Sequence, residues 1–586
     1  MFERQWQVLE SIDLTSQEQF PEIHPVLLQI LFHRGIRTQE EMDIFLGPDW
    51  SRDVLSPYQF LQMREAVDRV FFALTQGEMI TIHGDYDADG VCGTAVLFST
   101  LRDICRALNF DEQKLSTYIP HREKEGYGLS VETMEQLAQS QHTTVVITVD
   151  CGISNKPAID RGKTLGVDTI VCDHHTMPEE LPDQTVLIHP LVPGETYKNT
   201  FLCGTGVAFK LACALYEEAR VRGGGIVEGQ EKWLLDLVAI ATVTDIMPLQ
   251  GENRVLELYG LQVLNKTRRV GLRKLIEIAG GKWGLLDTDS IGFLIGPRLN
   301  AAGRMNHATE ALNLLIEEDE VQATELAIQL QTTNIDRQRV SKRMYEEAKT
   351  LLLPQLVDGV PSHNLLVVVS DTWSPGLVGL VASKIVNEFH RPVYVIGKHA
   401  DVYVGSGRTV GSFDVTAGLR ASAEFLEKFG GHPQACGFSI RGEENLQKAI
   451  ESFHVFAEKS VQEEDLVSRI ICEAEMCLED ISWEVFDAIQ YVRPFGRGNE
   501  EPIFCTRGLR VSSFSPVGNE GKHLKMTVQS PGGRILPAIA FGFGSLLPAL
   551  SLGQLIDLAF YIRVNEWNGN RELQLFVEDI KLVREY

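Results

Sequence analysis

Short apolar runs that stop at a carboxylate or a histidine recur through the first half of the chain. MITIH (79–83) meets the loop GDYDADG, TTVVITVD (143–150) ends on an aspartate, and DTIVCDHH (168–175) ends on an Asp-His-His triplet. VLIHP (186–190) is a further run of the same kind. Runs of this length predict buried strands, and stretches of helical length such as VCGTAVLFSTLRDI lie between them. Strands alternating with helices predict βαβ units and a mostly parallel sheet, an α/β fold. In such sheets ligands bind beyond the carboxyl ends of the strands, where the acidic and histidine residues fall.

The pattern changes elsewhere. Residues 1 to about 75 read as helical and polar, ending in the amphipathic run MREAVDRVFFAL. WLLDLVAIATVTDIMPL (233–249) predicts an apolar helix that delivers Asp245 near its end, with Pro248 helping to stop it. Residues 318–352 hold no glycine or proline and predict a long helix connecting two domains. LLVVVSDTW (365–373) then opens a second α/β unit, running through GSGRT (405–409) to FGGHPQACGFSI (429–440). From 491 to 575 the chain reads as short strands with turn signals, which predicts a small β-barrel. The expected division is 1–75 helical, 76–317 the first α/β domain, 318–352 the helix, 353–460 the second α/β domain and 465–586 the barrel.

The 586 residues are 44% apolar and 23% charged, an ordinary globular balance. A net charge of −26 argues against a whole-surface nucleic-acid coat but leaves room for a local basic groove. The barrel supplies one such shift, with nine Lys and Arg against six Asp and Glu over 491–575. The ten cysteines are scattered without a CxxC pair, so neither a disulfide framework nor a zinc site is expected. The opening MFERQWQVLE has no signal pattern, and no apolar run approaches the roughly 20 residues of a bilayer span. A reduced cytoplasmic protein is expected.

Six residues at the ends of the apolar runs are candidate metal ligands: His83, Asp87, Asp89, Asp150, His174 and Asp245. Oxygen and imidazole donors together suit Mn²⁺ or Mg²⁺, whereas thiolates would favour zinc. Two ions about 3.5–4 Å apart can activate water and polarise a phosphoryl oxygen. Any one of these residues alone would read as a cap, a turn or a solvated side chain; the conjunction of four segments carries the reading.

DYDADG followed by CDHH resembles the DHH phosphoesterase superfamily, named for the triplet Asp173-His174-His175, and FGGHPQACG resembles the glycine-rich motif of the associated DHHA1 domain. The order of segments, the linking helix and the terminal barrel, from about residue 75 to 580, are similar to the RecJ family of bacterial single-strand-specific exonucleases. The resemblance implies metal ligands at the six positions above, with Asp150 as the bridge between two ions. It implies that His175 faces the scissile phosphate, as a donor to its oxygen or in proton transfer, and that Asp173 orients a neighbouring histidine. Asp85 is acidic but outside the expected spacing and stays unassigned.

A phosphodiester strand calls for fork-shaped cationic donors. Arg122, Arg298, Asn300, Arg304, Ser406, Arg408 and His432 sit in glycine-bearing segments, and the glycines of GSGRT are expected to let backbone approach a phosphate. Thr409 stands where the family often has Ser. Cys436 stands where a small residue is common, and no catalytic role is expected for it. In the barrel, Lys522, His523 and Lys525 are candidates for strand contact, while Phe504, Phe541 and Trp567 are expected to fill its core. The implied activity is 5′→3′ hydrolysis of single-stranded DNA to mononucleotides with two Mn²⁺ or Mg²⁺ ions, by a monomer working with a single-strand-binding protein and a helicase. The rival readings are a phosphodiesterase for short oligonucleotides or cyclic dinucleotides and a non-catalytic single-strand-binding scaffold.

Overall fold

The computed structural model describes residues 4–357, 360–567 and 569–583, without the side chains of Leu14 and Trp567. The chain forms two compact units: Asp49–Gln462 with Gly496–Gly498, and Met1–Pro48 with Glu463–Phe495 and Asn499–Tyr586.

The first unit begins with a five-stranded sheet in which every pairing is parallel: Leu115–Tyr118, Met79–Gly84, Thr143–Val149, Asp168–Cys172 and Val186–Ile188, in that spatial order. Alternate residues of one strand enter opposite cores. Val145 and Ile147 join the large cluster with the helices Ala88–Leu108 and Gly204–Val221, whereas Val146 joins the cluster with Val131–Ser140 and Lys156–Thr164. Helices therefore cover both faces, as the uninterrupted apolar runs required. A buried ion pair ties two of the helices together: Lys210 Nζ lies 2.5 Å from Glu252 Oε1 and donates to Leu55 O at 2.8 Å. Glu252 also accepts from Leu55 N and the Tyr197 hydroxyl.

The connecting helix spans Glu320–Leu352 and is capped by Asp319. Beyond it a mixed five-stranded sheet runs Lys428–His432, Ala435–Arg441, Val402–Arg408, Val393–His399, Leu366–Val369. Its core holds Tyr394, Phe438 and Phe453.

In the second unit five strands close on themselves. Phe504–Val517 pairs with both His523–Gln529 and Leu555–Trp567, and the circuit runs on through Ile535–Ala540 and Asn570–Leu582. The stretch 1–75 does not form a unit of its own. Its first part, with the helices Pro25–His33 and Gln39–Leu46, shares a core with the barrel, and Gln5–Val8 is a strand paired in parallel with Arg469–Cys472. Its last part, the helix Met63–Gln76, packs in the large core of the parallel-sheet domain through Val67, Val70 and Phe71. Neither amphipathic part can bury its apolar face alone, so each is claimed by a larger neighbour.

Candidate metal centre and substrate cleft

The strand ends of the parallel sheet deliver the acidic residues to one place. Asp87 caps the helix Ala88–Leu108, accepting from the N–H groups of Asp89 and Gly90 at 2.9 and 3.2 Å. Asp89, in the first turn, accepts from Gly204 N and Thr205 N, each at 2.7 Å, so its carboxylate lies on the N-terminus of a second helix. Asp150 follows its strand in the left-handed region, φ 60°. Gly204 is required beside it, since a Cβ there would lie 2.6 Å from Asp150 Cβ. Asp245 caps the C-terminus of the helix Leu235–Thr244.

Three overlapping groups result, each with all its ligand atoms within 4.8 Å: Asp85, Asp87 and Asp150; Asp89, His174 and Asp245; Asp150, His174 and His175. Asp150 and His174 are shared between groups. Burial, and then the charges of Asp89, Asp87 and Asp245, push the Asp150 carboxyl well above the usual carboxylate range. Burial and the charges of Asp89 and Asp87 do the same to Asp245. Burial keeps His174 below the ordinary imidazole value, hence neutral and able to ligate.

Buried polar atoms in this cluster have no hydrogen-bond partner: Asp85 Oδ1, Asp150 Oδ1, Asp245 Oδ2, His174 Nε2 and His83 Nε2. His174 Nε2 is 3.2 Å from Asp150 Oδ1 and 3.6 Å from Asp245 Oδ2, close without hydrogen-bond alignment. A set of buried, mutually repelling oxygens with a neutral imidazole needs cations. Burial pushes up the nearby thiols of Cys151 and Cys172, which keeps them protonated. The donor set thus fits Mn²⁺ or Mg²⁺.

His83 is placed differently from the other five expected ligands. It joins none of the three groups; its ring stacks on Tyr118 with centroids 5.5 Å apart, and burial lowers it to about 4. Asp85, unassigned from spacing, enters a group with Asp87 and Asp150.

His175 Nδ1 lies 2.8 Å from Asp173 Oδ1, and Asp173 also accepts from the N–H groups of Ile153, His174 and His175. Asp173 is thus fixed as an orienting group. Against the effect of burial, the Asp173 hydrogen bond and charge raise His175 to about 9, and the same bond holds Asp173 down at about 2. At neutral pH in the metal-free protein, His175 is therefore a cationic donor.

Between the parallel-sheet domain and the mixed-sheet domain lies a cavity of about 320 Å³, lined in part by Tyr86, Arg122, Arg304, His399, Ser406 and Arg408. The Arg122 guanidinium sits 4.7 Å above the Tyr86 ring. Arg304 donates to Gly376 O at 3.2 Å, and burial followed by the charge of Arg122 lowers it to about 10. Arg408 donates to Ser406 Oγ at 2.8 Å. Along the strand Val402–Arg408, Ser406 and Arg408 line the cavity. Gly405 lines the cavity with them, and Gly407 meets a packing demand, since a Cβ there would lie 2.5 Å from Cys436 Sγ and 2.6 Å from the Tyr394 ring.

Three candidates fall outside the cavity lining. Arg298 donates to Gln331 Oε1 and Leu294 O, tying two helices together. Asn300 accepts from Ala88 N at 2.8 Å and so braces the start of the helix that carries Asp89. His432 ends an exposed edge strand.

In the barrel unit, Phe504 is fully buried as expected, but Phe541 is exposed. The Trp567 side chain lies outside the described ones. Phe541 lines a cavity of about 270 Å³ with Tyr561, Arg563 and Phe576, and His523 meets it edge to face at 5.1 Å. Lys522 and Lys525 are exposed, and Lys522 pairs with Glu520 at 3.0 Å. No residue periodicity distinguished Tyr561, Arg563 and Phe576 from core positions.

The DHH family N-terminal domain model matches residues 79–242, the DHHA1 domain model 362–459 and the RecJ OB domain model 472–579. The chain is 34% identical to the single-stranded-DNA-specific exonuclease RecJ of Bacillus subtilis, over 95% of this chain and 68% of that protein. It is 32% identical to RecJ of Haemophilus influenzae, over 96% of this chain and 97% of that protein. The crystal structure of RecJ in complex with Mn²⁺ from Thermus thermophilus superposes with a TM-score of 0.81 at 29% identity, covering 99% of this chain and 80% of that one. The Mg²⁺ complex from the same organism gives 0.76 at 28% identity, over 99% and 79%. With its parallel DHH sheet, its DHHA1 domain and its closed barrel in this order, the chain belongs to the RecJ family of single-stranded-DNA-specific exonucleases.

Proposed function

We propose that the chain hydrolyses single-stranded DNA from its 5′ end and releases 5′-mononucleotides. The observation that carries this reading is the cluster of partnerless buried carboxylates around Asp150, with an arginine-lined cavity in the same unit. Arg122, Arg304 and Arg408 hold the 5′ phosphate of the strand, with Ser406 as a further donor. Asp85, Asp87, Asp89, Asp150, His174 and Asp245 hold two divalent ions, and the buried, partnerless Nε2 of His83 offers a further donor. When bound, the ions supply positive charge that activates water and offsets charge on the phosphoryl oxygens.

The chain's own groups do the rest. Asp173 holds His175 in place through the nitrogen facing it, and His175 presents its other nitrogen to the phosphoryl oxygens and the departing O3′, to which it donates when both nitrogens carry protons. Water adds to phosphorus and the P–O3′ bond breaks. The released nucleotide keeps its own 5′ phosphate, and the shortened strand gains a new one. The exposed Phe541 and the aromatic cavity of the barrel stack bases further along the strand.

The same reading has the chain act as a cytoplasmic monomer on strands opened by a helicase and covered by single-strand-binding protein. Its support is the set of free cysteines and the strong acidity, which disfavours unaided capture of DNA. Among the described residues no helix is long and apolar enough to cross a membrane.

The test is digestion of matched oligomers, single or double stranded, labelled at each end in turn, with Mn²⁺. Mononucleotide release from the 5′ end of the single strand is expected, with loss in Asp150→Asn. Equal rates on duplex, or undiminished digestion by the variant, refute the reading.

A further inference from the structure

Eight described residues other than glycine carry a positive φ, and Ile246, at 57°, is the one with a branched Cβ. It directly follows Asp245. The helix Leu235–Thr244 ends there in the way glycine ordinarily ends helices: Ile246 N–H bonds to Val243 O at 3.1 Å and Met247 N–H to Thr242 O at 2.9 Å. A branched side chain is poorly suited to that turn. Burial does not compensate, because Ile246 is 63% exposed. The hydrogen bond from Arg497 to its carbonyl would serve any residue equally. Neither backbone geometry nor packing therefore accounts for an isoleucine next to an expected metal ligand.

A second apolar side chain is displayed on a turn that adjoins the end of the same helix. Ile291–Ile295 forms a π-helical turn, and Phe293 within it is 80% exposed. Gly296, just past that turn, is pressed onto the end of the same helix: a Cβ there would lie 2.3 Å from Thr244 Cγ2. Turns of this kind recur at functional sites.

We propose that Ile246 is a substrate-contacting residue whose exposed side chain packs against a nucleobase adjoining the scissile phosphate, with Phe293 as a second apolar surface at the same end of the site. The inference rests on the strand-cleaving reading above. Phosphates are served by arginines and cations; the faces of the bases are the apolar part of a single strand. Every base has such a face, so the contact adds grip without sequence preference.

The experiment compares the wild-type chain with Ile246→Gly in Mn²⁺. The substrates are a 5′-phosphorylated oligodeoxythymidylate and the same strand with abasic sites at its first positions. On the base-bearing strand, Ile246→Gly is expected to raise KM about 5–10-fold, as befits loss of a partly buried aliphatic contact, with kcat within about twofold. Its thermal midpoint is expected to stay level or rise, since glycine suits the turn. On the abasic strand the two proteins should have equal KM. Ile246→Val is expected to restore most of the affinity, and Phe293→Ala to weaken it in the same base-dependent way. An unchanged KM on the base-bearing strand, a rise that persists on the abasic strand, or a lowered midpoint overturns the inference. A wild-type chain that does not digest the strand overturns the functional reading itself.

Discussion

Asparagine at Asp89 and at Asp150, two carboxylates of one cluster, should move the stability of the metal-free protein in opposite directions. Asp89 is balanced by the protein: both oxygens accept backbone N–H groups at 2.7 Å on a helix N-terminus. In Asp89→Asn one of these contacts becomes an amide facing an N–H, and the other loses its charge. Hydrogen bonds to a buried charged group contribute about 1.5–3 kcal/mol each, so a net loss of about 2–4 kcal/mol follows. For a unit of this size an unfolding entropy of roughly 2.1 cal/mol/K per residue converts that to a fall of about 2–5 °C. Asp150 has no such balance. Its carboxyl is raised by burial and by four neighbouring carboxylates, and its Oδ1 lacks a partner. Asn removes the charge, keeps the shape, and is favoured at φ 60°. Thermal melts in EDTA at pH 8 should therefore rank Asp150→Asn above the wild type and Asp89→Asn below it, and both variants should lose part of the stabilisation that Mn²⁺ confers on the wild type. If Asp150→Asn melts below the wild type in EDTA, the account of the cluster as uncompensated charge is wrong.

Glu257 is fully buried in the helix Gly251–Leu264, its oxygens have no partner, and burial raises its carboxyl well above 4.5. A raised acid costs nothing below its unfolded value and progressively more as pH rises towards its folded one. Glu257→Met should thus match the wild type near pH 4 in urea melts and exceed it at pH 8, by about 1–3 kcal/mol; an advantage that shrinks as pH rises would contradict this. Lys210→Met strands the buried Glu252 carboxylate and should cost about 3–5 kcal/mol, much of it recovered by adding Glu252→Gln; equal costs for the single and double variants would show that the ion pair is not the cause. Arg304→Ala should raise KM for a 5′-phosphorylated strand far more than for one with a 5′ hydroxyl, whereas Arg298→Ala should lower the melting temperature with little such discrimination. Steady-state kinetics on the two strands would expose a reversal.

Much of this was legible in the chain because the sheet is buried on both faces: its strands read as unbroken apolar runs, and their ends point to the site. The long helix and the barrel were legible for the same reason, through period and length. What failed was orientation. The loop 85–89 carries three acids, and spacing alone could not show that Asp85 groups with Asp87 and Asp150 while His83 joins none of the three groups. Arg298 and Arg304 share the helix Gly296–Met305, yet one reaches Gln331 and the other Gly376, a difference set by packing between distant segments. Nor could the segment GSGRT show that Gly407 must also make room for Tyr394 and Cys436, residues on two other strands. Phe541 could not be told from a core residue because it lies in the turn just past the strand Ile535–Ala540, where strand alternation no longer sets which side a residue faces.

The strand Gln5–Val8 pairs with Arg469–Cys472, so the nuclease unit is in effect an insertion within the barrel unit. During synthesis the opening segment leaves the ribosome long before its partner strand exists. It must wait, with the apolar faces of Pro25–His33 and Gln39–Leu46 uncovered, while some four hundred residues fold behind it. Assembly of the nuclease unit brings the two ends of its own chain to fixed positions, and that converts a very long loop closure into a short one for the barrel. A variant that slows the nuclease unit should leave the barrel as the last part to form and the first to be captured by chaperones.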